Sequence, residues 1–294
     1  MSEQSGANPA ARQAPRCYRH ADRETYISCQ RCGRPICPDC MNQASVGFQC
    51  PTCVSEGAKT IPTPRTAAGG LLPKQAGLVT MIIIGINVAI FLVTYATGRS
   101  TSEVFVQGAM LSESATAQNG EVLTGFADGA WWRPITSAFL HENILHILFN
   151  MYAIYIFGPL LEQLLGVRRF VAMYLTTAIG ASAAVYLLSN PFGLTIGASG
   201  AVFGLFAVAL LMLLRRGQDV RFLLVLLALN AVLSLQGGIS WQGHLGGFVT
   251  GAVLGLAFAY APRERRTLVQ VATFAVVWVA IIAIFVVRTA QLTA

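Results

Sequence analysis

The sequence predicts an all-α protein with several membrane-spanning helices, preceded by a small cysteine-rich domain. Of its 294 residues, 54% are hydrophobic and only 11% are charged, and the mean hydropathy is +0.59. A soluble domain carries about 25% charged residues, so this composition excludes an ordinary soluble enzyme. All seven cysteines lie between Cys17 and Cys53, which sets an N-terminal head apart from the hydrophobic remainder.

The head holds four pairs of metal-ligand residues, each with two residues between its members. They are Cys17 and His20, Cys29 and Cys32, Cys37 and Cys40, and Cys50 and Cys53. Since a tetrahedral Zn²⁺ takes four such ligands, these eight residues predict two bound zinc ions. The alternative is a disulfide framework, against which the odd number of cysteines and the expected cytoplasmic location both argue.

The predicted role of the head is binding or regulation rather than catalysis. A segment this short cannot build a stable apolar core, so we expect the zinc ions to be structural, in closed sites. The spacing resembles that of B-box and RING-like zinc fingers, which implies a cross-brace in which alternate pairs share a metal. Pairing in order along the chain stays open. We expect the head to bind a protein partner, which the sequence does not identify.

Composition divides the chain into five segments. Residues 1–15 are predicted to be a disordered N-terminus, and residues 16–54 to form the zinc-binding domain. A linker is predicted at 55–75, because Val54 to Lys74 holds three prolines and a Gly-Gly pair. The membrane domain follows at 76–262, and residues 263–294 hold one further transmembrane helix with a short external tail.

Seven uncharged apolar runs predict seven membrane spans. The runs are Ala76–Thr97, Ile144–Leu161, Phe170–Leu188, Ser199–Leu214, Phe222–Leu235, Trp241–Ala261 and Leu268–Val287. About 20 helical residues cross a bilayer core, and five of the runs are near that length. The fourth and fifth runs are shorter, which suits helices that have one end recessed inside a bundle.

The orientation follows from arginines in alternate loops between the spans. These are Arg168 and Arg169, then Arg215, Arg216 and Arg221, then Arg263, Arg265 and Arg266. Basic loops face the cytoplasm, so the N-terminus is predicted to be cytoplasmic and the C-terminus external. We expect a multi-pass protein of a bacterial plasma membrane. The net charge of +7 is then mainly a topology signal, and no nucleic-acid partner is expected.

Ser199 begins the fourth run between glycines, in the sequence Gly197-Ala198-Ser199-Gly200. A serine at this place is commonly only a helix N-cap. The external loop before it and the shortness of the run put this hydroxyl near the outer side of the bilayer. Glycine on both sides lets a substrate backbone approach closely. These features favour a nucleophile over a cap.

His244 lies in the sixth run beside a stripe of small residues, Gly243, Gly247 and Gly251. A second stripe, Gly200 and Gly204, lies on the fourth run, and two such stripes permit close helix contact. The simple alternative is packing alone. Close contact would also let His244 reach Ser199, with Phe203 against the imidazole. Since no aspartate lies in any span, the prediction is a Ser–His dyad.

Two further histidines lie in or beside the second run, where ionisable residues are costly and usually functional. His146 and Asn150 are four residues apart and share one helix face, and His141 precedes them. Both His146 and Asn150 can donate hydrogen bonds to a tetrahedral intermediate, together with the Ser199 N–H. The alternative is that they only hold span two against its neighbours.

The combined motifs resemble the rhomboid intramembrane serine proteases, over about Ala76 to Ala261. They are His141-x4-His146-x3-Asn150, Gly197-x-Ser199-Gly200, Gly243-His244-x-x-Gly247, Trp132-Arg133 in the first loop, and Gly158-x3-Glu162 after span two. The resemblance implies a six-helix core with the seventh span added.

What the resemblance implies for the site can be stated residue by residue. Ser199 is the nucleophile and His244 the general base, with His146 and Asn150 lining the oxyanion hole. Gly197, Gly200, Phe203 and His141 shape the site, whereas Trp132, Arg133 and Glu162 are structural. The expected substrates are transmembrane segments of other membrane proteins, cut near the outer face of the bilayer. The reaction needs no cofactor.

Two other functions are possible on the sequence. A proteolytically silent relative would act as a membrane chaperone or binding protein, but such relatives lack the serine or the histidine, and both are present here. A zinc domain merely anchored by the spans would need only one of them. We therefore expect a protease whose partners are membrane proteins and the lipid bilayer.

Overall fold

The computed structural model describes residues 14–61, 64–117, 120–234 and 238–294. Most of the segment predicted to be disordered, residues 1–13, lies outside the described residues, as does Leu235 at the end of the fifth predicted run. The chain divides into two compact units, Met1–Thr63 and Pro64–Ala294, which are described separately below.

The N-terminal unit is built around its cysteines rather than around large apolar side chains. Its elements are a 3₁₀ turn at Pro38–Cys40, an antiparallel hairpin of β1 (Asn42–Gln43) and β2 (Phe48–Gln49), and α1 (Pro51–Thr60). Ile36 and six of the seven cysteines form its buried core. The Cys50 sulfur accepts a hydrogen bond from the Cys53 N–H and caps α1, so a ligand pair also starts the helix.

The second unit is helical, and the described residues of the chain contain ten α-helices in all. After α1 come α2 (Leu78–Ala96), α3 (Glu103–Gly108), α4 (Arg133–Thr136), α5 (Ile144–Leu165), α6 (Val167–Leu188), α7 (Ser199–Arg215), α8 (Arg221–Leu233), α9 (Trp241–Tyr260) and α10 (Arg266–Leu292). Five of them, α2, α5, α6, α9 and α10, are long and apolar enough to cross a membrane. The short α7 and α8 are also apolar. The chain is therefore an all-α polytopic membrane protein, as predicted.

The second predicted run ends too early, at Leu161, because Glu162 is charged. In the structure α5 continues through Glu162 to Leu165. The buried Glu162 carboxylate accepts hydrogen bonds from the backbone N–H groups of Val79 and Thr80 and from the Thr80 hydroxyl. These groups lie in the first turn of α2, where the helix dipole favours a negative charge. Glu162 is structural, as expected, but it lies inside span two rather than after it.

The predicted linker is structured in its described parts. Helix α1 occupies the segment up to Thr60. Farther along, Ala68 is fully buried, and its N–H donates to the Leu164 carbonyl at the end of α5. The Gly69–Gly70 pair, which suggested a linker, instead belongs to a turn that packs against the end of α5.

Helix α7 lies at the centre of the membrane unit, with most of its side chains buried. Its glycine stripe meets the stripe on α9: an added Cβ on Gly247 would overlap the Gly200 carbonyl oxygen, and one on Gly251 would lie 2.6 Å from the Gly204 oxygen. The predicted close contact between the two stripes is therefore present. In contrast, α2 and α10 bury only 22% and 17% of their most apolar 18-residue windows.

The first loop is held by two residues of the Trp-Arg motif. Arg133 is fully buried, and its guanidinium donates to the carbonyl oxygens of Thr124, Val106 and Ala109 at 2.8, 2.9 and 2.6 Å. Burial lowers the pKa of Arg133, and the three carbonyls replace the lost hydration. The Trp132 indole donates to the Gln107 oxygen. Both residues are structural, as expected.

Candidate active site

Ser199 is the first residue of α7, and the chain enters that helix through a glycine that cannot be replaced without strain. Gly197 has φ +126°, a conformation that side chains disfavour. A Cβ on Gly197 would lie 2.8 Å from His146 Nε2 and 3.5 Å from Ser199 Oγ. The glycine therefore lets the His146 imidazole lie against the loop that carries the serine.

A small cavity of about 30 Å³ lies beside Ser199, large enough for a water-sized group. Three other serines, Ser137, Ser182 and Ser240, line it with Gly197, Gly200 and Gly243. The Ser182 hydroxyl donates to the Pro134 oxygen, and Ser240 accepts from the Gly243 N–H as the N-cap of α9. The pocket is thus lined by hydroxyl groups together with glycines and apolar side chains from several elements.

His244 lies near the start of α9 and is 9% exposed. The Phe203 ring stacks on its imidazole, with ring centroids 4.2 Å apart and an angle of 13° between the planes. Its Nδ1 atom lies 2.5 Å from the Ser234 hydroxyl oxygen. The ring is thus contacted on one face and at one edge. The stacking on Phe203 agrees with the placement predicted from the sequence.

Ser199 and His244 are not hydrogen-bonded to each other in the described part of the chain, and they line different cavities. His244, with Phe203 and Ser234, lines an apolar cavity of about 410 Å³ bordered by α7, α8 and α9. The helices that carry the two residues nonetheless touch at Gly200 and Gly247. Catalytic hydrogen bonds are often long before substrate binds and shorten in the complex.

The other two candidate donors lie one turn apart on α5. The Asn143 side chain caps this helix by accepting from the His146 N–H at 2.9 Å, which fixes the backbone under the imidazole. The Asn150 amide donates to the His146 carbonyl at 3.1 Å. The structure thus places His146 beside the serine loop, whereas the Asn150 amide is engaged within its own helix.

His141 lies against His146, with ring centroids 5.0 Å apart in an edge-to-face arrangement. The side chain is almost fully buried, and neither ring nitrogen has a hydrogen-bond partner within the described residues. A buried imidazole with both nitrogens unpaired is costly unless water or a ligand reaches it. The ring contact with His146 places this histidine in the same cluster.

Ser234 is not predicted from the sequence as a site residue, although its hydroxyl contacts the proposed base directly. It lies immediately after α8, 10 residues before His244. A single serine at the end of an apolar run resembles an ordinary helix terminus, and its contact with His244 depends on how α8 packs. No pattern in the sequence signals this contact.

The N-terminal unit brings the eight predicted metal ligands into two clusters. One contains Cys17, His20, Cys37 and Cys40, and the other contains Cys29, Cys32, Cys50 and Cys53. Within each cluster the ligand atoms all lie within 4.8 Å of one another, and all seven cysteines are free thiols. Alternate pairs therefore lie together, which is the arrangement of a cross-brace and not of pairing in order.

The distances within these clusters fit a tetrahedral metal ion. His20 Nδ1 lies 3.2 Å from Cys37 Sγ and 3.4 Å from Cys40 Sγ, and Cys32 Sγ lies 3.8 Å from Cys50 Sγ. Zinc–sulfur bonds of about 2.3 Å at tetrahedral angles place two sulfurs about 3.8 Å apart. The Arg34 N–H and guanidinium hydrogen-bond to Cys32 and lower the pKa of that thiol, which favours the thiolate that metals bind.

Comparisons with known proteins agree with the family resemblance of the membrane unit. Residues 128–261 match the Rhomboid domain family. The chain is 36% identical over 148 residues to the provisionally named rhomboid protease YdcA of Bacillus subtilis, an alignment that covers 48% of this chain and 74% of the relative. It is 28% identical to the rhomboid protease AarA of Providencia stuartii, over 47% of this chain and 59% of the relative. It is 31% identical to the rhomboid protease GluP of Bacillus subtilis, over 63% of this chain and 36% of the relative.

Proposed function

The chain belongs to the rhomboid family, and on that premise we propose that it is an intramembrane serine endopeptidase. It cleaves transmembrane segments of other membrane proteins near the outer face of the bilayer. One observation carries the proposal: Ser199 starts α7 next to Gly197 and His146, and α7 touches α9 through Gly200 and Gly247. A nucleophile, a base and an electrostatic donor thus come from three packed helices.

In the acylation step the Ser199 hydroxyl oxygen attacks the carbonyl carbon of the scissile peptide bond. The hydroxyl proton passes to His244 Nε2, and a tetrahedral intermediate with a negatively charged oxygen forms. When this intermediate collapses, the carbon–nitrogen bond breaks and the same proton moves from His244 to the leaving amine. The product is an acyl ester on Ser199.

Deacylation repeats these steps with water as the nucleophile. Water gives its proton to His244 and attacks the ester carbonyl, and the collapse of the second intermediate returns that proton to the Ser199 oxygen. The cavity of about 30 Å³ beside Ser199 offers space for such a water-sized molecule inside the bilayer. The released products are a carboxylic acid and an amine.

His146 is the leading donor to the negatively charged oxygen, because its Nε2 atom approaches Gly197 on the side of Ser199. The Ser199 backbone N–H is a second donor, free because it lies in the first turn of α7. Asn150 would become a third donor once its amide leaves the His146 carbonyl. Gly197, Gly200, Phe203 and His141 shape the site around these groups.

The orientation of the protein follows from its loop arginines and an odd number of spans. We assign the N-terminus to the cytoplasm and the C-terminus to the external side of a bacterial plasma membrane. Ser199 and the Trp-Arg loop then lie toward the outer leaflet. A reporter fused after Ala294 should be active outside the cell, and one fused before Met1 inside it. A cytoplasmic C-terminus would contradict this assignment.

We assign two structural zinc ions to the N-terminal unit, one in each ligand cluster. Zinc would fix the fold of a unit that has few large apolar side chains and would take no part in proteolysis. Purified protein should contain two zinc ions per chain by elemental analysis. A single zinc, or none, would contradict this assignment.

The test of the protease assignment is cleavage of a transmembrane substrate in liposomes by purified variants. Ser199→Ala and His244→Ala should each abolish cleavage while the melting temperature stays near that of the wild type. Ser100→Ala, which removes an exposed hydroxyl from the first loop, is the matched control and should cleave normally. Cleavage that survives in Ser199→Ala would refute the serine mechanism.

A second candidate is a rhomboid-like protein that binds membrane proteins without cutting them. The observation in its favour is that Ser199 and His244 share no hydrogen bond among the described residues. The same assay separates the two functions, because a binding protein would capture the substrate, leave it intact and resist labelling by a fluorophosphonate probe.

A further inference from the structure

The residue that contacts His244 most closely through a polar atom is Ser234. Both side chains are nearly buried, with exposed fractions of 4% and 9%. The Ser234 hydroxyl oxygen lies 2.5 Å from His244 Nδ1 and 2.6 Å from the Asn230 carbonyl oxygen one turn back along α8. A single hydroxyl thus stands between a carbonyl and an imidazole.

The direction of these two hydrogen bonds follows from counting protons. A carbonyl oxygen can only accept, so the one Ser234 hydroxyl proton points to Asn230. The hydroxyl oxygen must then accept from His244, which requires the proton of the neutral imidazole to be on Nδ1. The chain of donors runs from His244 through Ser234 to the Asn230 carbonyl, and Nε2 keeps a free lone pair.

We propose that Ser234 is a positioning residue that holds His244 in the Nδ1–H tautomer and directs its basic Nε2 atom toward Ser199. The proposal rests on the proposed Ser–His mechanism. No aspartate lies in the spans to perform this task, and a hydroxyl backed by a carbonyl is a neutral substitute that can be buried without a charge.

Two contacts together restrict the imidazole. Phe203 stacks on its face and fixes the plane of the ring, whereas Ser234 holds one edge and fixes the rotation within that plane. Either contact alone would leave one of these motions free. Because Nδ1 and Nε2 lie on different edges of the ring, holding Nδ1 points Nε2 away from Ser234.

The same contact favours the charged imidazole that forms during catalysis. When the Ser199 proton arrives on Nε2, the Nδ1 proton stays in place, and the hydrogen bond to Ser234 becomes charge-assisted and therefore stronger. No proton leaves Ser234. The stabilisation appears as charge develops, which is the condition under which it accelerates the reaction.

A purely structural role for Ser234, as the end of α8, predicts different behaviour. The Ser234 hydroxyl is only one partner of the Asn230 carbonyl, which also accepts from the Ser234 backbone N–H at 2.9 Å. Removal of the hydroxyl should then affect stability alone. A positioning role predicts a loss of rate with unchanged stability and unchanged substrate binding.

The experiment compares Ser234→Ala and Ser234→Thr with the wild type in labelling by a fluorophosphonate probe and in single-turnover cleavage. Ser234→Ala should lower both rates by about 10-fold, the equivalent of the difference between a charge-assisted and a neutral hydrogen bond, with KM and melting temperature little changed. Ser234→Thr keeps the hydroxyl and should recover most of the rate. The matched control is Thr273→Val, which removes a hydroxyl bonded to the carbonyl four residues back on α10 and should have no effect.

If the threonine variant does not fold, the tautomer of His244 can be measured directly. Nitrogen-15 NMR of the histidines, with His244→Ala used for assignment, should show the His244 proton on Nδ1 in the wild type and a mixture of tautomers in Ser234→Ala. The proposal is overturned if Ser234→Ala reacts at the wild-type rate, if a folded threonine variant is no faster than alanine, or if the wild-type proton is on Nε2.

Failure of this proposal is distinguishable from failure of the protease assignment. Ser199→Ala and His244→Ala, run in the same assays, test the dyad itself. If both are inactive while Ser234→Ala is unimpaired, the dyad stands and only the positioning role is wrong. If Ser199→Ala still cleaves substrate, the mechanism on which the positioning role depends is wrong.

Discussion

The two units of this chain carry their chemistry in different ways. In the N-terminal unit, residues three apart in sequence supply the ligands of each pair, and all eight lie in two clusters with distances that fit a tetrahedral ion. In the membrane unit, Ser199 and His244 come from different helices and are not hydrogen-bonded among the described residues. Local spacing therefore specifies the candidate metal ligands, whereas the proposed catalytic site depends on helix packing.

This difference predicts that the two units respond independently to metal removal, which should be the largest effect. Zinc binding to small domains is worth about 10–16 kcal/mol in apparent free energy, so a strong chelator should unfold the N-terminal unit completely. Circular dichroism and thiol reactivity of purified residues 14–61 would measure this loss. Cleavage by a variant that lacks the N-terminal unit should be insensitive to the same chelator. Chelator-sensitive cleavage by that variant would contradict the separation of the two units.

The contact between α7 and α9 can be disrupted by adding one methyl group. In Gly247→Ala the new methyl group would overlap the Gly200 carbonyl, a backbone atom that cannot move aside cheaply. We expect a loss of stability of about 3 kcal/mol and a fall in cleavage of more than 100-fold, because α7 and α9 must separate.

The control for this change is Gly85→Ala on α2, where an added Cβ meets nothing within 4 Å. Alanine has the higher helix propensity, so this variant should be slightly more stable and fully active. Thermal unfolding and single-turnover cleavage of both variants would measure the contrast. Equal behaviour of the two variants would show that the α7–α9 contact does not set the site.

Removal of a donor to the negatively charged oxygen should have a smaller effect than removal of the nucleophile. His146→Ala and Asn150→Ala are each expected to lower turnover by about 10²–10³, since other donors persist. Substrate binding should change much less, because the ground-state carbonyl carries less charge. If these residues only pack span two, the melting temperature would fall and the turnover of the folded fraction would be near normal.

The smallest predicted effect concerns the hydrogen bonds between Glu162 of α5 and the start of α2. Glu162→Gln keeps the size of the side chain but removes the charge that caps α2, and should cost about 1 kcal/mol of stability with turnover unchanged. Glu264→Gln, at an exposed position just before α10, is the control. Differential scanning fluorimetry would detect the shift. A large loss of activity in Glu162→Gln would mean that this carboxylate does more than hold α2.

Much of the fold could be predicted because apolar runs and glycine stripes are local patterns. The seven runs became seven helices, and the Gly200 and Gly247 stripes meet as expected. Span ends were harder to predict, because a charged residue such as Glu162 can continue a buried helix where backbone N–H groups of another helix hydrogen-bond to it. The contact between Ser234 and His244 is made by a single hydroxyl, and no sequence motif or residue spacing predicts it.

In the N-terminal unit, the candidate metal ligands were predictable, but their pairing was not. The identity of all eight ligands follows from the spacing, but which pairs come together depends on how the chain crosses itself. The Tyr18 N–H donates to the Pro35 oxygen, and the Cys50 N–H donates to the Cys29 sulfur, so alternate pairs lie together. These contacts link distant parts of the chain, and the spacing within each pair does not specify them.

The central claim, that Ser199 is a nucleophile activated by His244, is tested most directly by the site of covalent labelling. Purified full-length protein in detergent would be treated with a fluorophosphonate probe, digested and analysed by mass spectrometry. We predict a single adduct on the peptide that holds Ser199, absent in Ser199→Ala and reduced to background in His244→Ala. An adduct on another residue, or equal labelling of the wild type and His244→Ala, would contradict the account.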